Sequence, residues 1–413
     1  MGIKNKLKLL SFLQFFVWGS YLTSLGSYLF VTLHFTGSEI GSVFTTLGIA
    51  SIFMPALLGI VADKYLGAEK VLGICHLLGA FCLILASTVT DSNSMFWVML
   101  LVAMCYMPTI SLNNSVSFSI LKQFNFDLIK DFPSIRVWGT IGFICAMWIV
   151  DLLGWTLSKN QFYVGGVSAL LLALYSFSLP KCPIANSPEK TTLYTRFGLD
   201  AFVLFKNKKM FIFFVFSLFL GAALQITNMV GQDFLGDFSK IAAYKTSFTV
   251  KHPGILLSIS QVSETLFILA IPFFLNKFGI RKVMLFSMLA WVFRFGLFAI
   301  GNPGNGFFFL VLSMIVYGMA FDFFNISGSL FVEKETSAKI RSSAQGLFMM
   351  VTNGLGSILG AKGCGWVVDY FTTNGEKDWQ SIWITFALYA LVLAVVFPFA
   401  FKYKHDPKID FSH

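Results

Sequence analysis

The chain has 413 residues, 56% of them hydrophobic and only 12% charged, with a mean hydropathy of +0.75. A soluble domain carries about 25% charged residues, so soluble-enzyme readings are excluded and an all-α membrane protein is expected. The net charge of +10 would suit a nucleic-acid partner, but its distribution marks membrane topology instead and none is expected.

The N-terminus, MGIKNKLKLLSF, is basic and then apolar. Its apolar part is too long for a signal segment and lacks a small-residue cleavage site, so it reads as the first span. Apolar runs of about 20 residues read as membrane-crossing helices. Twelve follow in order: 8–33, 39–63, 70–89, 95–118, 133–153, 161–179, 210–233, 253–276, 281–301, 306–330, 342–369 and 379–402. The polar, basic stretch 181–209 divides them six and six, giving a half at 1–180, a central cytoplasmic loop, and a half at 210–413 with a short tail. Of the 30 Lys and Arg, 22 lie before the first span, in alternate loops or in the tail, against five in the opposite loops (Lys159, Lys240, Lys245, Lys251, Lys377). That bias places both termini in the cytoplasm. The six cysteines stand singly, without metal-ligand spacing, so no metal or cofactor is expected.

The halves echo each other. The loop GIVADKYLGAEKVL after span 2 matches PFFLNKFGIRKVM after span 8, aligning Asp63-Lys64 with Asn276-Lys277. Ser20, Thr23 and Gly26 of span 1 align with Gln225, Asn228 and Gly231 of span 7. Parallel repeats of six helices describe a transporter with its substrate between the halves.

Few strongly polar groups remain inside spans. Arg136, Thr140 and Phe143 share one stripe of span 5; Gln225, Asn228 and Gln232 share one of span 7. Span 8 carries Gln261 and Glu264, and span 10 carries Asp322 beside Tyr317, Phe321 and Phe324, three rings on one helical face. A mid-span carboxylate costs roughly 2.5–3.5 kcal/mol on insertion scales, so Glu264 and Asp322 read as functional. Asp151, Asp233 and Asp369 lie at span ends and read as interfacial; Arg294 and Lys362 pair internally or snorkel and stay outside the site. Rings suit the stacking of a flat base, and amides suit its polar edge (Phe143, Phe321, Gln225, Asn228). Gln261, Glu264 and Arg136 suit ribose hydroxyls. Any single Phe among 49 is more often packing than stacking, and a lone Thr140 more often bonds its own helix.

The loop with Gly59, Asp63 and Lys64 resembles the signature loop of the major facilitator superfamily, where acid and base tie neighbouring helix ends together; here Ala68, Glu69 and Lys70 replace its usual downstream arginines. The strings LSFLQFFVWGSYLTSLGSYLFVTL, FMPALLGIVADK, DFPSIRVWGTIGF, LQITNM, SISQVSETLFILAIPFFL, LSMIVYGMAFDFFNISGSLFVEKE and SAQGLFMMVTNG resemble the bacterial nucleoside:proton symporters, a family within that superfamily. The resemblance covers nearly the whole chain. It implies the major facilitator fold, a monomer in the bacterial inner membrane, and proton-driven uptake of nucleosides such as uridine and adenosine. It points to Arg136, Thr140, Phe143, Gln225, Asn228, Gln261, Glu264, Tyr317 and Phe321 for binding. Burial raises a carboxyl's proton affinity, so Asp322 or Glu264 would carry the coupled proton. The competing reading is a proton-coupled sugar permease of the same fold. A non-transporting receptor has no reason to keep two mid-span acids, and no filter-like loop or ring of charges marks a channel.

Overall fold

The computed structural model describes residues 2–184, 199–337 and 340–403; most of the central loop and the end of the tail lie outside them. Chain contacts divide the protein into two compact units, residues 1–192 and 193–413.

In the first unit the helices are α1 (Ile3–Gly19), α2 (Gly37–Lys64), α3 (Ala68–Ala86), α4 (Ser92–Gln123), α5 (Leu128–Leu152) and α6 (Asn160–Phe177). A short helix, Leu22–Ser27, and a π-turn, Tyr28–Thr32, prolong α1. Thr36 and Glu39 form a capping box that starts α2, and Asp91 caps α4 through the Ser94 amide. Helix α1 runs backbone-to-backbone along α5: a Cβ on Gly142 would lie 2.1 Å from the Phe12 carbonyl oxygen, and one on Gly19 2.4 Å from that of Phe143. In lipid, where apolar burial drives little association, such close approach is what binds helices.

The second unit holds α7 (Lys208–Asp237), α8 (Ile259–Ile300), α9 (Phe307–Glu335), α10 (Arg341–Met349), α11 (Ser357–Tyr370) and α12 (Trp379–Ala400), with a two-stranded hairpin, β1 (Thr372–Thr373) and β2 (Glu376–Lys377). Gly279 breaks α8 with φ 77° and ψ 165°, a conformation open to glycine. The arms double back on each other. Arg294 and Ser260, 34 residues apart, are hydrogen-bonded at 3.3 Å, whereas a straight helix would separate them by roughly 51 Å. A π-turn, Met350–Gly356, joins α10 to α11. Gly221 of α7 repeats the glycine contact of the first unit, a Cβ there falling 2.0 Å from the Thr352 carbonyl oxygen.

Among the described residues nine helical stretches are long and apolar enough to cross a membrane, one of them the doubled stretch Pro253–Ile300. Large side chains such as Phe81, Leu269, Trp366 and Phe399 are two-thirds or more exposed, as lipid-facing residues are.

Candidate functional site

In the first unit α1 carries a polar hub. The Gln14 amide nitrogen donates to Thr109 Oγ1 (2.7 Å), which leaves its oxygen to accept from His76 Nε2 (2.8 Å), and the Tyr106 hydroxyl donates to the Gln14 carbonyl (2.8 Å). The hub fixes Tyr106, whose ring lies 5.3 Å from that of Trp18. Trp18 in turn meets Phe143 edge-on at 6.3 Å and 88°. One turn before Trp18, the Phe15 ring lies 4.2 Å from the Arg136 guanidinium. Arg136, Thr140 and Phe143 therefore occupy the α5 stripe that faces α1, with Arg136 and Thr140 half-buried and Phe143 at 9% exposure. A cavity lined by Tyr21, Cys75, His76 and Tyr106 measures about 10 Å3, room for one water and for no organic ligand.

In the second unit the first arm of α8 crosses α9 where Gly318 meets the backbone of Ser263 and Glu264. The Ser263 hydroxyl donates to the Ile315 carbonyl, locking the crossing. This sets half-buried Gln261 and Glu264 beside Tyr317, and the Tyr317 hydroxyl lies within electrostatic reach of Glu264, Arg294 and Asp322. Asp322 is 5% exposed. Of the three rings expected on one face, Phe321 alone is half-exposed. Phe324 is buried between Phe213 (5.9 Å, stacked) and Phe348 (6.3 Å), and Tyr317 stands edge-on to Trp291 at 6.0 Å.

On α7, Gln225 is buried and Asn228 half-buried, and among the described residues no hydrogen bond joins either to the α8–α9 group. Gln225 Nε2 and Gln261 Oε1 are buried without hydrogen-bond partners among the described residues. Such atoms are costly, and a ligand offering an acceptor to the one and a donor to the other would satisfy them.

Gly59, Asp63 and Lys64 lie in the last two turns of α2, with Asp63 and Lys64 exposed and open space around Gly59. The buried acid just beyond them is Glu69, 3% exposed, which accepts from the Cys182 amide at 3.0 Å. Burial pushes the Cys182 thiol up to about 11, so it stays an unreactive thiol. Asp233, near the end of α7, is buried and paired with Lys377, which the β1–β2 hairpin delivers. Sequence reasoning also missed Gln14, Trp18, His76 and Tyr106. The signal for the first two was there, a polar and an aromatic residue one turn apart on one face of α1.

A family profile described as nucleoside H+ symporter matches residues 1–406. The chain is 56% identical to the xanthosine permease of Escherichia coli over 409 residues, covering 99% of this chain and 98% of that protein. It is 56% identical over 406 residues to nucleoside permease NupG of the same organism, covering 98% and 97%. A crystal structure of the nucleoside transporter NupG superposes with a TM-score of 0.93, covering 98% of this chain and all of that one. A peptide transporter of the POT family, 15% identical with a TM-score of 0.71 over 97% of this chain and 96% of that one, shares the fold alone. The chain belongs to the nucleoside H+ symporter family, whose members are transporters and not enzymes.

Proposed function

We propose that this symporter accepts purine and pyrimidine nucleosides alike and refuses nucleotides, working as a monomer by alternating access in a bacterial inner membrane. Twelve crossings in halves at 1–180 and 210–413, joined by 181–209 with both termini cytoplasmic, complete the reading. From the first unit Phe143 stacks on the base, Arg136 holds the ribose and Thr140 adds a binding hydroxyl; from the second Phe321 stacks on the base, Gln225 and Asn228 pair with its edge, Gln261 and Glu264 hold the ribose and Tyr317 adds a binding ring. Stacking tolerates any base, because every base has a π-face. One deep arginine on α5 and one on α8, set against two deep acids, leave no cationic excess for phosphates.

Proton coupling falls to Asp322 and Glu264. The observation that carries the reading is Glu264 at the crossing with Gly318 and Asp322 buried one turn further along α9, two carboxylates inside apolar helices. Gly59, Asp63 and Lys64, in the last two turns of α2, belong to the segment that moves as access switches.

Competition of labelled uridine uptake tests the selectivity. Unlabelled adenosine, cytidine and guanosine should compete, while uridine monophosphate, uracil and sucrose should not. Competition by sucrose or uracil at concentrations equal to those of nucleosides would overturn the assignment.

A further inference from the structure

Arg294, in the second arm of α8, is 2% exposed in the interior of the second unit. Its Nη1 donates to the Ser260 hydroxyl (3.3 Å) and to the Ser313 carbonyl (3.0 Å), and the Ser313 hydroxyl donates back to the Arg294 carbonyl (2.8 Å). The guanidinium carbon lies 4.5 Å from the centre of the Tyr317 ring and 5.0 Å from that of Phe298. Among the described residues no salt bridge joins Arg294 to a carboxylate. A charged side chain kept at such depth without an acid partner is expensive, and helix-ending or snorkelling does not explain one held inside the bundle. The cation is carried by ring faces and hydroxyl or carbonyl dipoles, an arrangement that strengthens as water is removed.

Those contacts fall at one place. Ser260 precedes Gln261 directly and lies one turn before Glu264; Ser313 lies one turn before Tyr317. A single guanidinium thus ties both arms of α8 and α9 together behind the crossing at which Gly318, next to Tyr317, meets Ser263 and Glu264. Its planar fork can grip two oxygens and present a face to a ring at once, which a point-like ammonium cannot.

We propose that Arg294 is a positioning residue of the nucleoside site: it fixes the ring of Tyr317 beside Glu264 without itself touching the ligand. This rests on the nucleoside site proposed above. The clamp also explains the depth of the charge, because the Tyr317 face that must be held is itself buried.

The test uses purified full-length protein. Affinity is read by competition against labelled uridine, which registers weak binding, alongside thermal unfolding. Arg294→Gln should weaken binding about ten-fold in protein that remains folded, the scale of one desolvated cation–ring contact, with Arg294→Lys falling between it and wild type. In a Tyr317→Leu background, where no ring remains to be held, Arg294→Gln should change affinity by less than about two-fold. Equal losses in both backgrounds, or full affinity in folded Arg294→Gln, would overturn the proposal. If Arg294→Gln fails to fold, Ser260→Ala loosens the fork while keeping the charge. Weakened binding that vanishes with Tyr317→Leu supports the role, and unchanged affinity removes it. Wild-type protein that bound no uridine would overturn the nucleoside reading and this proposal with it, whereas an additive cycle overturns this proposal alone.

Discussion

Gly318 and Glu264 touch backbone to backbone: a Cβ built on Gly318 would lie 2.7 Å from the Glu264 amide nitrogen and 2.5 Å from the Ser263 carbonyl carbon. No rotamer change relieves that overlap, because the obstacle is main chain. Gly318→Ala must therefore push α9 off the first arm of α8, at an overpacking cost of about 1–3 kcal/mol. Because Tyr317 and Glu264 flank the contact, uridine affinity should fall with stability. Calorimetry on the purified variant checks this, and wild-type affinity with normal unfolding would remove the crossing from the site.

Glu264→Gln keeps the helix and its packing and loses a charge-assisted hydrogen bond, worth about 1.5–3 kcal/mol. Binding should weaken by about ten-fold or more on that scale. An unchanged dissociation constant would take Glu264 out of the ribose contacts.

Asp322 sits one residue beyond Phe321, about 100° around α9 from that half-exposed ring. Asp322→Asn is nearly isosteric and permanently neutral, so it mimics the protonated acid and removes only the titration. Accumulation against a gradient should collapse while nucleoside binding persists. Concentrative, protonophore-sensitive uptake at the wild-type level in Asp322→Asn cells would show that the proton travels elsewhere.

Near the end of α7, Asp233 (side chain 1% exposed) pairs with Lys377 of the β1–β2 hairpin (10% exposed). Removing one partner of a buried pair leaves the other charge stranded, at about 3–5 kcal/mol, whereas replacing both by apolar residues is often neutral. Lys377→Ala should accordingly lower the unfolding temperature in detergent far more than the double change Asp233→Leu with Lys377→Met. Equal losses from the two would mean the pair contributes little.

Much of this architecture was written in the apolar runs. The two spans expected at 253–276 and 281–301 are the two arms of α8, and Gly279 lies in the short gap between them. The run 342–369 was visible as well, but its π-turn at Met350–Gly356 was not, since one extra residue per turn leaves hydropathy unchanged. Contacts distant in sequence were the least legible. The Gln14 hub joins lone polar residues 62 and 95 positions apart, and Asp233 finds its lysine 144 positions later. Phe324 shares a helical face with Phe321, yet Phe213 and Phe348, from other helices, decide that one ring is core and the other accessible. Arg294 was set aside because helix periodicity gives a charge its depth but not its partners, and those partners are a ring, a hydroxyl and a carbonyl rather than an acid.

The central claim, that proton entry drives nucleosides inward through this chain, is tested most directly in proteoliposomes of the purified protein. Radiolabelled uridine uptake is followed with an inward proton gradient, without one, and with a protonophore added. The account predicts accumulation above the external concentration only with the gradient, reduced to equilibration by the protonophore and lost in Asp322→Asn vesicles. Accumulation that ignored the protonophore, or wild-type vesicles that never exceeded equilibration under the gradient, would contradict it.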